Sequence, residues 1–407
     1  FMLRRPPRST LIRSRRQRQM CIRDSASTAL LLAREGLRVL VVDPAARGSD
    51  TLSTHALMRG AVLQLHRWGV LEEIRSAGTP AIRSTTFHYG EEVITIPIKA
   101  RDGLDALFAP RRTVLDAALV AAASAAGAEI AHGRAVSGLV TDDRGRVIGA
   151  RVSGSDRETV TVKADLVIGA DGINSRVARL LNVPVTHSVP HSTASIYGYW
   201  KDLGLEGNHW YYERGAAVGA IPTNGGETCV FASVPPARFE AGRRNGLQDL
   251  YSDVLREVSG GLARRVSDSG GPGKLRAFAG VPGFLRQGAG PGWALVGDAG
   301  YFRDPLTAHG ISDALREAEF LARSVLDGRE EALLAYDEGR YERVRGFFEV
   351  TDRIASFDWD MDEIKDYHMI LAKEMNALIE LQRRFGERTT CGFAAAPPTA
   401  AAAAGGM

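Results

Sequence analysis

The chain has 407 residues, 44% of them hydrophobic and 24% charged, the balance of a globular protein with length for two or three domains and a large core. Its net charge of +3 has one source: residues 1–25 hold eight arginines and one acid, Asp24, whereas the rest carries 43 basic and 47 acidic residues, so the body of the chain shows no nucleic-acid footprint. No apolar run is long enough to span a bilayer; the richest, Leu119 to Ala126, is short and alanine-dominated, and a cytoplasmic location is the default. Cys21, Cys229 and Cys391 are far apart and form no CxxC pair, which reads as free thiols in a reducing compartment. His187 and His191 have the i,i+4 spacing of a metal pair, but Pro190 between them argues against the helix that such a pair needs. No metal site is predicted.

In chain order, residues 1–25 come first. They show no helical or strand period and contain Pro6 and Pro7. An arginine-rich, acid-poor segment is one description of a mitochondrial targeting peptide. Here it runs straight into the middle of a motif, so residues 1–25 are expected to be a non-native or disordered segment, foreign sequence joined to a truncated βαβ unit. From Ala26 to Glu35 helix formers dominate and Gly36 follows as a C′ residue. Leu37 to Val42 is an apolar, β-branched run that ends in Asp43-Pro44. Together they read as the helix and second strand of a dinucleotide-binding βαβ unit, whose strand-end acid accepts from the ribose hydroxyls of an adenosine. The glycine-rich turn that should precede Ala26 is absent, and Ser25 stands at its last glycine. A lone strand-end Asp is equally at home as a plain loop residue.

A second helix is predicted from Met58 to Arg75 and a third from Leu115 to Ala126. Val136–Val140 and Val147–Val152 read as strands paired around the turn Asp142-Asp143-Arg144-Gly145. Residues 185–290 alternate and are rich in Gly, Pro and aromatics, as a mainly antiparallel sheet is. Gly310–Asp327 and most of 329–385 are helical, and the low-complexity residues 392–407 are expected to be disordered.

Two motifs carry chemistry. Ala164 to Arg176 (ADLVIGADGINSR) is a buried strand that delivers Asp171-Gly172 at its C-terminal end and opens a helix at Ser175-Arg176. Gly292 to Gly300 (GWALVGDAG) is another such strand, delivering Gly297-Asp298 and continuing through Asp304-Pro305-Leu306-Thr307-Ala308-His309-Gly310-Ile311-Ser312 into a helix. Strand ends of this kind are where open α/β sheets bind ligands. The helix start at Gly310–Ser312 offers free N–H groups and a positive dipole end, and Pro305 and Gly310 shape a loop that lets backbone approach a ligand. Each motif alone is also an ordinary strand–turn–helix; their order and spacing together favour a cofactor site.

With these motifs the sequence resembles the para-hydroxybenzoate hydroxylase-like family of flavoprotein monooxygenases over residues 26–350. The resemblance implies an α/β fold: a Rossmann-like FAD-binding domain (26–80, 104–184 and 285–330), an inserted antiparallel β-sheet substrate domain (81–103 and 185–284), C-terminal helices (331–390) and a disordered tail (391–407). It implies that Asp43 binds the adenosine ribose, Arg59 reaches the pyrophosphate, Arg112 contacts the cofactor from the next helix start, and a backbone contact near Val136 holds the adenine. Asp171-Gly172 match the family's DG motif, Gly297-Asp298 its GD motif, with Asp298 on the ribityl hydroxyls, and Ile311-Ser312 the residues over the flavin pyrimidine. Ser312 stands where these hydroxylases often carry Asn. The halogenase motif WxWxIP is matched only by Ile221-Pro222, with small residues at both Trp positions, so halogenation is not expected.

The motifs and the resemblance together imply an FAD-dependent oxidoreductase, an NADH- or NADPH-dependent monooxygenase that passes an oxygen atom from molecular oxygen to a small aromatic or unsaturated substrate. The flavin does the chemistry, so no Ser-His-Asp or paired-carboxylate signature is needed. Tyr197, Tyr199, Trp200, Trp210, Tyr211 and Tyr212 can wall the substrate or simply fill a sheet core, and His55 and His309 fall near the flavin surround. Two alternatives stay open: a flavin-dependent reductase of isoprenoid double bonds, and a flavin-free, non-functional fragment, because the phosphate loop is missing.

Overall fold

The computed structural model describes residues 22–387, except 52, 155–157 and 272–273. The expectations for residues 1–21 and for the C-terminal tail lie outside the described residues. Helix α1 (Ile22–Arg34) starts four residues before Ala26. Its first turn buries Arg23 and Asp24, and Ser27 Oγ and Thr28 Oγ1 donate back to the carbonyls of those two residues. It ends before Gly36 (φ 81°), the left-handed residue that stops it. Strand β1 (Leu40–Asp43) follows, then α2 (Arg59–Arg67) and α3 (Leu71–Ser76). The single helix predicted over 58–75 is thus two, because Gly69 takes φ 69° between them.

Strands β2 (Ser84–Tyr89) and β3 (Glu92–Pro97) make a hairpin. Helix α4 (Arg112–Ala125) leads to β4 (Glu129–His132), which pairs with β1 in parallel. Next, β5 (Ala135–Thr141), β6 (Val147–Ser153) and β7 (Thr159–Lys163) form an antiparallel meander turning at Asp142–Gly145, as the sequence predicts. The DG motif then runs through β8 (Val167–Gly169) into α5 (Arg176–Leu180), capped by Ser175, and on to β9 (Val185–Ser188).

The central part of the chain supplies β10 (Ala194–Lys201), β11 (Asn208–Glu213), β12 (Ala216–Pro222) and β13 (Glu227–Val234). Helices α6 (Pro236–Gly242), α7 (Leu247–Val258) and α8 (Gly260–Asp268) interrupt the predicted sheet before β14 (Arg276–Phe278). These strands form a seven-stranded sheet in the order β14-β10-β13-β12-β11-β2-β3, antiparallel except where β11 meets β2 in parallel. Its alternating side chains face two cores. Tyr197, Trp210 and Tyr212 join the large core shared with α1, α2, α4 and α9 residues, whereas Trp200 and Tyr211 lie on the other face under α7 and α8, with Trp200 stacked 5.4 Å from Tyr251.

Strands β15 (Phe284–Arg286), β16 (Ala289–Gly290), β17 (Trp293–Leu295) and β18 (Tyr301–Phe302) precede helices α9 (Gly310–Asp327), α10 (Glu330–Glu338), α11 (Arg340–Ala355) and α12 (Met361–Glu387). β17 pairs with β8 in parallel, so the parallel layer has two parts, β1-β4 and β8-β17, the second extended by the antiparallel β16. α9 packs on α1, α2 and α10. Among the described residues, no helix is long and apolar enough to cross a membrane. His187 stacks on Tyr341 and His191 pairs with Asp352.

Candidate cofactor site

The C-terminal ends of β1, β8 and β17 and the N-termini of α1 and α9 carry the candidate residues. At β17, Gly297 turns the chain with φ 60°, and an added Cβ there would overlap the carboxylate of Asp24 in the first turn of α1. Only glycine meets both demands. Asp298 follows with its side chain 24% accessible, 3.9 Å from Nη2 of buried Arg23. Arg23 donates to Asp24 Oδ1 at 2.5 Å, and Asp24 Oδ2 is buried with no hydrogen-bond partner among the described residues. The first turn of α1, whose N–H groups favour an anion, therefore already holds a carboxylate. Sequence reasoning missed this pair because both residues were assigned to the foreign segment.

Beyond Asp298, a single 3₁₀ turn at Pro305–Thr307 is capped by Asp304, which accepts from Leu306 N at 2.9 Å and from Thr193 N and Oγ1 at 2.6 and 2.8 Å. Burial pushes the Asp304 carboxyl up to about 6, against the pull of those donors. Ala308 at φ 56° and His309 then turn the chain into α9. His309 Nδ1 donates to Thr307 O at 2.5 Å, and burial followed by the Arg303 charge lowers its pKa to about 3. Gly310 is exposed, with open space where a Cβ would stand, while Ile311 and Ser312 are buried. Thr307 Oγ1 and Ser312 Oγ are both buried with no hydrogen-bond partner among the described residues. Two orphaned hydroxyls beside the free N–H groups of an 18-residue helix make a polar rim that a carbonyl-bearing ring edge satisfies.

Behind this rim α9 is held by buried ion pairs. Asp313 meets Arg303 at 2.5 Å and Arg316 at 2.6 Å; burial raises its pKa and the two guanidiniums lower it by more. Glu317 meets Arg340 at 2.5 Å. Glu319 accepts from Gln64 and Arg67 of α2, each at 2.8 Å.

The other predicted residues are engaged differently. Asp43 is buried, accepts from Ala45 N at 2.8 Å, and burial raises its pKa. It borders a cavity of about 120 Å³ that also touches Thr113, Asp116 and His132, room for part of a small polar group. Asp171 caps α5, accepting from Ser175 Oγ and Arg176 N at 2.5 Å each and from Val177 N at 3.2 Å, and Gly172 takes φ 75°. Val136 is half-buried on β5 and lines a large cleft beside β1. Arg59 donates to Lys99 O at 2.6 Å and Leu104 O at 3.3 Å. Arg112 is locked to Asp116 by two bonds of 2.9 and 2.8 Å. Each guanidinium thus gives two of its five N–H donors to the chain itself.

The seven-stranded sheet meets this site through β10. Its leading end is tied to the Asp304 turn through Thr193. Further along, Tyr197 Oη accepts from Ser53 N at 3.1 Å, and Tyr199 Oη is hydrogen-bonded to His55 Nε2, a residue with φ 67°. Arg111 sits 3.6 Å over the Tyr199 ring and pairs with Glu227 at 2.7 Å. Six residues of strand, about 20 Å, separate these anchors. His55 is kept neutral: burial, then Arg111, Arg112 and Arg276, lower its pKa well below the usual value. Arg111 was not among the expected site residues, since its role comes from a strand that is distant in sequence.

The residues at β17 and α9 fit the ribityl and pyrimidine end of FAD: a half-open carboxylate, two orphaned hydroxyls and a helix start. The α1 turn fits the diphosphate less well, because Asp24 is already there. Comparisons with known proteins agree with the fold. Residues 26–265 match the family profile described as FAD binding domain. The chain is 26% identical over 297 residues to digeranylgeranylglycerophospholipid reductase of Methanosarcina mazei, covering 70% of this chain and 68% of that one. It is 24% identical over 335 residues to squalene monooxygenase of Candida glabrata, covering 74% and 68%. Among solved structures, a probable FAD-dependent monooxygenase from Pseudomonas aeruginosa, pqsL, superposes with a TM-score of 0.67 at 19% identity over 87% of this chain and 96% of that one. The myxobacterial chondrochloren halogenase CndH gives 0.68 at 22% identity over 80% and 78%. By the profile match, which spans more than half its length, the chain belongs to the FAD binding domain family of flavoprotein oxidoreductases.

Proposed function

We propose that the chain is an FAD-dependent monooxygenase that hydroxylates or epoxidises a small aromatic or unsaturated substrate. The reductant is NADH or NADPH, and the setting is the cytoplasm. The observation that carries the reading is the start of α9, where Thr307 Oγ1 and Ser312 Oγ are buried with no hydrogen-bond partner among the described residues, on a helix that packs against the turn carrying Asp298. When bound, FAD accepts hydride from the nicotinamide and activates molecular oxygen. The residues of the chain hold and shield it. Thr307, Ser312 and the α9 amides bind the pyrimidine edge and favour the negative charge it gains on reduction. Asp298 accepts from ribityl hydroxyls, and Asp43 from the adenosine ribose. Tyr197, Tyr199 and His55 form one wall of the substrate space, where neutral His55 Nε2 accepts a hydrogen bond from the Tyr199 hydroxyl, which burial holds protonated.

The test is an FAD titration of the apoprotein, followed by NADPH or NADH oxidation in an oxygen electrode with electron-rich phenols and alkenes. The reading expects oxygen uptake matched to oxygenated product. The similarity to digeranylgeranylglycerophospholipid reductase supports one second reading, reduction of isoprenoid double bonds. Substrate turnover that proceeds anaerobically would select it and remove the monooxygenase.

A further inference from the structure

The two edges of the seven-stranded sheet differ. β14 is three residues long and half-buried, and its Arg276 is tied to Asp50 at 2.7 Å. β3 is six residues long and exposed throughout, with no strand neighbour beyond β2 among the described residues. Its register with β2 runs unbroken from Ser84↔Pro97 to Tyr89↔Glu92, with no bulge to turn the edge aside. Proteins blunt an open edge with lysine, a bulge or a covering segment. From Val93 to Ile96, β3 carries only Val, Ile, Thr and Ile.

The register tells which backbone groups of β3 are open. Ile98 N donates to Arg83 O at 2.8 Å, one step beyond Ser84↔Pro97, so Arg83 and Ile98 are a hydrogen-bonded pair. Such pairs alternate along an antiparallel ladder. Glu92, Ile94 and Ile96 therefore turn their N–H and C=O to β2, while Val93, Thr95 and Pro97 turn theirs outward. The side chains alternate as well. Glu92 meets Lys365 of α12 at 2.7 Å, and Phe87 and Tyr89 of β2 pack on His368, so Ile94 and Ile96 stand on the α12 face. Thr95 lies on the other face with Thr86, their hydroxyls 3.0 Å apart. α12 runs along this edge, since its Glu380 reaches Arg101 at 2.8 Å. One turn beyond Lys365 it carries Met369, 65% exposed, and Ile94 and Ile96 at 37% and 47% complete an open apolar strip.

We infer that β3 is a pairing edge for a second copy of this chain: two β3 strands join antiparallel about a twofold axis at Thr95, and the two sheets become one. The axis follows from the side chains. A twofold perpendicular to the sheet keeps like faces together, so even-numbered residues pair with even and odd with odd. Centred on Thr95, the pairing sets Ile94 against Ile96 on both sides of the axis and joins the two Thr95 residues by two backbone bonds. Val93 N–H then meets the Pro97 carbonyl, and the ladder ends where proline has no N–H to give. Exposed Glu91 falls opposite exposed Lys99. Centred on Ile94, the pairing would set Glu92 against Ile96 and Glu91 against Pro97. The edge thus carries an acid at one end and a base at the other, a pattern that an antiparallel copy of itself complements and an anionic or neutral lipid surface does not. The inference does not depend on the flavin reading.

Sedimentation equilibrium of the full chain tests it. The chain is expected to be a dimer at micromolar concentration. Thr95→Pro removes an outward N–H that β2 does not use, and is expected to weaken the dimer about tenfold with the far-ultraviolet spectrum unchanged. Glu91→Lys is expected to weaken it severalfold, and Glu91→Lys combined with Lys99→Glu to restore it. In Thr95→Cys, mild oxidation is expected to link the two copies through residue 95, because facing α-carbons of a hydrogen-bonded pair lie about 5.5 Å apart. Val93→Cys, which faces Pro97 and not itself, is expected to give no such link. A monomer at these concentrations, whether or not it floats with phosphatidylcholine vesicles, would overturn the inference. So would a dimer indifferent to both Thr95→Pro and the charge exchange, or equal cross-linking through the two cysteines.

Discussion

The seven-stranded sheet and the parallel layer are built from the same kinds of residue, yet they are held differently. In the sheet, every strand from β10 to β2 has neighbours on both sides, and its faces are covered by the large core and by α7 and α8. In the parallel layer, β1 and β8 each have one strand neighbour among the described residues, and both line the cleft. Still α1 keeps its place over the layer, because Ala26, Ala29, Leu30 and Leu31 bury its apolar face in a core shared with α4 and α9. Helix packing, not strand pairing, positions the N-terminal side of the cofactor site. The α9 side is the rigid one, fixed by buried ion pairs.

That contrast predicts where the molecule breaks. The largest effect should come from Arg340, 1% exposed and paired with Glu317 at 3%. Arg340→Met leaves a buried carboxylate without its cation and should cost about 3–5 kcal/mol in urea unfolding. The double variant Arg340→Met with Glu317→Leu should recover most of the loss, since a buried pair adds little over a packed apolar one. A single variant that unfolds at the wild-type midpoint would mean that α9 is not held as described.

Next comes the acid limb, which reads the same anchor through His309. Its imidazole titrates near 3 in the fold against an ordinary 6.5, so it is neutral when folded and takes up a proton when unfolded below 6.5. Its contribution is complete above pH 6.5 and is lost as pH falls toward 3, at up to about 1.4 kcal/mol per pH unit. His309→Gln should lower stability at about pH 7.5 yet flatten the decline between roughly pH 6.5 and 4.5. Parallel curves would remove His309 as the cause.

On the α1 side, Asp24 is the residue to change. Its buried carboxylate stands at the helix start, where an FAD diphosphate would lie. Asp24→Asn removes a like charge and frees Arg23 for the phosphate. FAD affinity by fluorescence titration should improve about tenfold, or about 1.4 kcal/mol. Weaker binding would show that Asp24 orders Arg23 and does not obstruct the anion.

The strand-end glycines were legible in the sequence because both motifs place Gly at φ values other residues avoid: Gly172 at 75° and Gly297 at 60°. The helix break at Gly69 and the sorting of Trp200 and Tyr211 onto the far face were missed, since one helix was expected over 58–75 and the sheet aromatics were left unsorted, although the glycine after Trp68 and the two-residue period of a strand are the signals that separate them. The pairing of Arg112 with Asp116 is an i,i+4 relation that the primary structure displays. Thr193 with Asp304 and His55 with Tyr199 were not legible: the partners are 111 and 144 residues apart, and no local pattern marks either pair. Nor was the start of α1, since Arg23 and Asp24 read as the end of an arginine-rich segment until Leu30 and Leu31 fix the helix register behind them.

The smallest effect is the sharpest test of the cofactor rim. Ser312 Oγ and Thr307 Oγ1 are buried without partners among the described residues, and a hydroxyl left so costs about 1–3 kcal/mol. Removing one from the apoprotein should therefore not destabilise it: Ser312→Ala is expected to raise stability by roughly 0.5–1 kcal/mol. If the hydroxyl meets the flavin, the same change must weaken FAD binding, by about five- to tenfold for one neutral hydrogen bond. Thr307→Val, close in shape, should do the same. Opposite signs in the two measurements on one substitution follow only if the hydroxyls are held for a ligand. A loss of apoprotein stability would instead give each hydroxyl a partner within the fold and take the rim out of the cofactor site.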